Sequence, residues 1–81
     1  MKVKVYKTND CPWCKKVITY LERKGCEIEQ LNCSENEEYK KELIERTKQS
    51  SVPVVDIEGE IILGFDRKAI DSKLEVLNGQ L

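Results

Sequence analysis

Histidine is absent from these 81 residues, which removes every Cys-His nucleophile pair and every zinc site that needs imidazole. An excess of either charge is missing too. With 14 basic side chains against 15 acidic ones, a net −1, the balance selects neither nucleic acid nor an anionic membrane surface as a partner. Long apolar runs are also lacking. No segment is built to span a membrane, and Met1-Lys2-Val3-Lys4-Val5-Tyr6 alternates like a strand where a secretory leader would be apolar. A cytoplasmic location is expected. Linkers, repeats and low-complexity stretches are absent, so residues 1–81 read as one domain with one modest core.

What the chain does have is four cysteines, two of them in Cys11-Pro12-Trp13-Cys14, where a short strand gives way to an amphipathic helix. If Pro12 opens that helix, Cys11 is its N-cap and Cys14 lies one turn inside on the same side, so a disulfide closes without unfolding anything. Free backbone N–H groups and the positive pole of the helix favour a thiolate on Cys11. Thiols in such positions have pKa values of roughly 3.5 to 7.5, against about 8.5 for a free cysteine. Lys7, Lys15 and Lys16 add to this if they come near, and Asp10 opposes it. Cys11, at the exposed tip, is expected to attack a substrate disulfide; Cys14, more enclosed, to attack the mixed disulfide and release product. Pro12 stiffens the turn. Trp13 is not needed by the apolar stripe of the helix and is expected to stand beside the nucleophile as a contact surface. A structural disulfide and half of a zinc site are the alternatives.

The rest of the chain reads as βαβαββα. Residues 2–6 form a strand with Val3 and Val5 on one face and Lys2, Lys4 and Tyr6 on the other. The helix from Pro12 to about Lys24 buries Cys14, Val17, Ile18 and Leu21, and Gly25 at C′ with Cys26 at C″ predicts a Schellman ending. Residues 26–33 form a second strand, parallel to the first. Ser34 and Glu37 look like a capping box for a helix from about Glu35 to Lys48, with Tyr39, Leu43, Ile44 and Thr47 facing inward. Pro53 leads into a strand, Val54 to Ile57, and Glu58-Gly59-Glu60 turns it into Ile61-Ile62-Leu63. Asp66 can N-cap a last helix carrying Ile70, Leu74 and Leu77, stopped by Asn78-Gly79.

Cys11-Pro12-Trp13-Cys14, Ser51-Val52-Pro53 before the third strand, and Gly64-Phe65-Asp66 after the fourth together resemble a glutaredoxin of the small bacterial type, over nearly the whole chain. The resemblance implies a thioredoxin-like α/β fold, a four-stranded mixed sheet flanked by three helices. It implies a dithiol oxidoreductase reducing protein disulfides or glutathione mixed disulfides, acting as a monomer, with no tightly bound cofactor and glutathione as co-substrate. It further implies that a cis bond precedes Pro53, that the Val52 backbone pairs with an extended substrate, and that Gly64, Phe65 and Asp66 hold the γ-glutamyl end of glutathione.

Several positions depart from the family pattern. Thr8 stands where a lysine commonly meets the glycyl carboxylate, with Lys7 one residue earlier; Arg46, Lys48 and Gln49 are substitutes for that contact. Leu63-Gly64 replaces Gly-Gly, and Arg67 replaces a second acidic residue. A related reading is a redoxin reduced by thioredoxin reductase that donates electrons to ribonucleotide reductase; its Trp-Ser-Gly-Phe-Arg segment is matched here only by Gly64-Phe65. A metal-binding reading rests on the spacing C-x2-C-x11-C-x6-C, which has a single knuckle. A bridged iron–sulfur cluster is disfavoured in the family when proline follows the nucleophile, as Pro12 does. Cys26 and Cys33 are expected to be small buried hydrophobes.

Overall fold

Alternation along the first strand decides which helix lies on which side of the sheet. In the computed structural model, which describes residues 2–77, β1 (Lys2–Lys7) is followed by α1 (Pro12–Arg23), β2 (Glu27–Asn32), α2 (Glu37–Thr47), β3 (Val54–Ile57), β4 (Glu60–Leu63) and α3 (Arg67–Leu77). The sheet order is β2-β1-β3-β4. β1 pairs in parallel with β2 and antiparallel with β3, and β3 pairs antiparallel with β4. This is the expected thioredoxin-like arrangement. The expected Asn78-Gly79 stop lies outside the described residues, as does the side chain of Leu77.

Val3 and Val5 point to one face, where they meet Val55, Ile57 and Ile62 of the sheet, Val17, Ile18 and Leu21 of α1, and Ile70 and Leu74 of α3. Tyr6 points to the other, with Leu31, Cys33, Val54 and Leu43 of α2. Both faces of β3 are therefore covered, and all four of its residues are buried. One of them is Asp56. Its carboxylate accepts a hydrogen bond from Arg46 Nη1 at 2.7 Å, and the same nitrogen donates to the Tyr6 hydroxyl at 3.2 Å. Tyr6 in turn donates to Glu42 at 2.5 Å. A buried carboxylate without such a partner would be strongly unfavourable.

Local chemistry sets the element ends. α1 stops as expected: Gly25 takes φ +87°, its N–H bonds Glu22 O at 3.0 Å and the Cys26 N–H bonds Leu21 O at 3.1 Å, the two bonds of a Schellman ending. The start of α2 differs from expectation. Asn36, not Ser34, is the N-cap and accepts from Glu38 N at 2.9 Å. Ser34 is taken by a distant partner, its Oγ accepting from Asn9 N at 3.0 Å, so it braces the loop before Cys11. The inner face of α2 is also narrower than expected: Leu43 is its buried residue, Ile44 is 41% exposed, and the Thr47 hydroxyl turns back onto Leu43 O. The β3–β4 turn is shorter by one residue. Glu60 pairs with Ile57 in the ladder, leaving Glu58 and Gly59, both at positive φ, as a two-residue turn.

Candidate active site

β1 ends at Lys7, and residues 8–11 carry the chain from the sheet to the first turn of α1. That loop is held from the side. Asn32 Nδ2 donates to Asn9 Oδ1 at 2.8 Å, beside the bond from Asn9 N to Ser34. Cys11 then takes extended φ/ψ and caps the helix, with Pro12 at the first helical position, where its missing N–H costs nothing. Cys11 and Cys14 are joined as a disulfide, their Cα atoms 5.3 Å apart. The Cys14 N–H donates to Cys11 Sγ at 3.1 Å.

Exposure separates the two sulfur-bearing residues. Cys11 is half-buried, while Cys14 is 1% exposed within the apolar face of α1. Trp13, between them in sequence, is 58% exposed and meets Phe65 edge-on at 6.3 Å between ring centroids. The ammonium of Lys16 lies 4.5 Å from the centre of the Trp13 ring.

The remaining residues singled out in the sequence gather from β3, β4 and α3. The Val52-Pro53 peptide bond is cis. Because Val54 pairs with Tyr6, Pro53 lies at the same end of the sheet as the β1–α1 loop. Gly64, at φ +73°, donates its N–H to Pro53 O at 2.9 Å, tying the loop before α3 to the proline. Asp66 caps α3, accepting from Ala69 N at 3.1 Å through Oδ1. Phe65 is half-buried between Trp13 and Tyr20.

Two of the basic residues near this end are already engaged. Lys7 Nζ donates to Gln30 at 3.0 Å, and the Arg46 guanidinium is committed to Asp56 and Tyr6. Sequence reasoning treated Asp56 as an ordinary strand residue and missed this network. Its signal was a lone acidic residue inside Val54-Val55-Asp56-Ile57.

The other two cysteines lie apart from the disulfide and from each other. Cys26 packs against the α1/α3 core, and Cys33 is buried on the α2 side. The motif C-x2-C-x11-C-x6-C therefore does not converge, and no group of three or more metal-binding side chains occurs among the described residues. Burial pushes both thiols above their ordinary range; for Cys33, Glu42 adds to this and Lys40 partly offsets it.

A disulfide at a helix N-terminus on a four-stranded mixed sheet, with a cis-proline at the same end of the sheet, defines a thioredoxin-fold dithiol oxidoreductase. Residues 3–62 match the family model described as Glutaredoxin. A glutaredoxin-like 8.6 kDa protein of the rubredoxin operon of Clostridium pasteurianum is 40% identical over 73 residues, covering 90% of this chain and 97% of that one. Among solved structures, the T8A mutant of the thioredoxin-like protein BC3987 superposes with a TM-score of 0.82 at 26% identity, covering 89% of this chain and 97% of its own. The glutaredoxin-like NrdH-redoxin of Escherichia coli superposes with a TM-score of 0.78 at 25% identity, covering 89% and 93%. The chain belongs to the glutaredoxin family, and it is a thiol–disulfide oxidoreductase.

Proposed function

We propose that this protein reduces protein disulfides and glutathione mixed disulfides, with Cys11 as nucleophile and Cys14 as resolving thiol. The observation that carries the assignment is the difference in exposure between the two sulfur-bearing residues at one helix end. In the reduced protein, the Cys11 thiolate attacks one sulfur of a substrate disulfide; the substrate S–S bond breaks and one substrate thiolate leaves, taking up a proton. Cys14, deprotonated, then attacks Cys11 Sγ, breaks the mixed disulfide and expels the second substrate thiol. Two electrons have passed to the substrate. The helix end and the Cys14 N–H favour the thiolate on Cys11, while the enclosed Cys14 reacts only with a sulfur already attached there.

Trp13, Pro12 and Phe65 supply apolar contact, and the backbone of Val52, before cis-Pro53, offers a strand-like edge to an extended substrate. Glutathione is the co-substrate in this reading. Gly64 and the start of α3 take its γ-glutamyl carboxylate, and Asp66, using one oxygen for the cap, takes its ammonium with the other. The protein works as a single-domain monomer in the cytoplasm, where a reducing thiol supply regenerates the dithiol.

A second reading is favoured by the engagement of Arg46 with Asp56. Asp56 thereby claims the Arg46 cation, while Lys7 gives one of its three donors to the neutral amide of Gln30, so Lys7, Lys48 or Gln49 is left for the glycyl carboxylate of glutathione; the loss of Arg46 suits a redoxin that draws electrons from thioredoxin reductase. NADPH consumption with a small glutathione mixed disulfide separates the two. Turnover with glutathione and glutathione reductase alone supports the glutathione reading; turnover only with thioredoxin reductase replaces it and leaves Asp66 as a helix cap.

A further inference from the structure

Beside the disulfide, on the side of α1 that faces α3, lies a groove of about 430 Å³ whose floor is aromatic and whose rim is basic. Tyr20 and Phe65 pack against each other at 5.4 Å to form the floor. Lys15, Lys16 and Arg23 from α1 and Arg67 from α3 line it, and no acidic residue does. Such a concentration of positive charge stands out in a chain of net −1. Two of these four cations lie over rings: Lys16 is over Trp13, and Arg67 is 5.1 Å from the centre of Tyr20. Among the described residues, none of the four forms an ion pair. The nearby carboxylate of Asp71 accepts from the Tyr20 hydroxyl and pairs with Lys24 at 3.7 Å, both through Oδ1, and forms no ion pair with the four. The positive rim is thus left for an external anion.

Length identifies the kind of anion. From the N-cap at Cys11 to Arg23 is 12 residues of α1, about 18 Å at 1.5 Å per residue. A ligand joined to Cys11 as a mixed disulfide must cover most of that distance to meet the far cation. Glutathione has three residues and reaches about 10 Å at most. A polypeptide reaches it with five or six extended residues.

We propose that this groove binds an acidic segment of a protein substrate, several residues away in sequence from the substrate's reactive cysteine. The proposal rests on the disulfide-exchange reading above and adds a substrate class to it. Aromatic floor and basic rim together suit a stretch of Asp or Glu carrying an occasional apolar side chain.

The test uses the reduced full-length protein in single turnover, so that no electron donor need be known. Two disulfide-bonded peptides serve as oxidants, identical except for a tail of four Glu or four Gln placed five residues from the cysteine. Protein disulfide formation is followed by acid quench and mass spectrometry. The Glu peptide is expected to react about tenfold faster at low ionic strength and to lose that advantage in about 1 M salt. The exposed-site variant Thr19→Glu, Arg23→Glu should keep the Gln-peptide rate and lose the preference, with Arg23→Gln intermediate. Equal rates for the two peptides in the wild-type protein at low salt would overturn the proposal, as would a preference that survives in the charge-reversed variant. Failure with both peptides would instead overturn the disulfide-exchange reading on which it rests.

Discussion

The two faces of the sheet are held in different ways. On one, α1 and α3 close over a continuous aliphatic core from Val3 to Leu74, with no charged side chain among its buried members. On the other, α2 contributes Leu43 and then relies on Arg46 and Glu42 to reach Asp56 and Tyr6. The dithiol sits on the first face. Its helix is anchored by four buried residues, Cys14 among them, so the inner sulfur belongs to the core that fixes the outer one. A site whose two sulfurs must meet repeatedly benefits from that rigidity. The α2 face combines fewer apolar anchors with polar groups that stabilise only as a complete set.

Replacing Leu21, fully buried on the α1 face, with alanine should cause the largest loss of stability, about 3–4 kcal/mol in urea unfolding. Leu43→Ala on the α2 face should cost less, about 2–3 kcal/mol, because neighbouring Tyr39 is only partly buried and can shift to cover the gap. The reverse order would break the contrast between the faces.

Asp56→Ala sharpens it from the polar side. Removing the carboxylate strands a guanidinium whose side chain is 30% exposed, so the expected cost is about 2 kcal/mol, below that of a wholly buried pair because water reaches Arg46. An Asp56→Ala, Arg46→Met double variant should recover much of it. Failure to recover any would show that the bond from Gly59 N to Asp56, at 2.8 Å, carries the effect.

The smallest effect should come from Tyr6→Phe, about 1 kcal/mol near neutral pH. Its signature is the pH dependence. Burial, reinforced by Glu42 and partly opposed by Arg46, holds the Tyr6 hydroxyl above its ordinary pKa of 10.0. The folded protein therefore keeps this proton where the unfolded chain has lost it. The associated stability is present below about pH 10 and falls as pH rises towards the folded-state pKa. In Tyr6→Phe that part of the alkaline decline should vanish, as measured by urea midpoints between pH 8.5 and 11.

Most of the first face was legible in the sequence, because its signals are local. The i, i+3, i+4, i+7 spacing from Cys14 to Leu21, Pro12 after a capping residue, and Gly25 at C′ each act within one helix. The second face depended on long-range choices. Ser34 and Asn36 are both competent caps two residues apart, and what decides between them is the Asn9 amide, which claims Ser34 from the far side of the β1–α1 loop. Asp56 reads as one more residue of the strand Val54 to Ile57 until α2 lies over it and supplies Arg46. The cis bond before Pro53 came from family resemblance, since local sequence permits either isomer.

Trapping the mixed-disulfide intermediate separates the roles of the two sulfurs most directly. Reduced Cys14→Ala and Cys11→Ala variants are each mixed with a protein disulfide substrate, quenched with acid and analysed by mass spectrometry. A stable mixed disulfide is expected through Cys11 in the Cys14→Ala protein and little or none through Cys14 in the Cys11→Ala protein. Trapping through Cys14 at a comparable rate would contradict the division of roles between the outer and the inner sulfur.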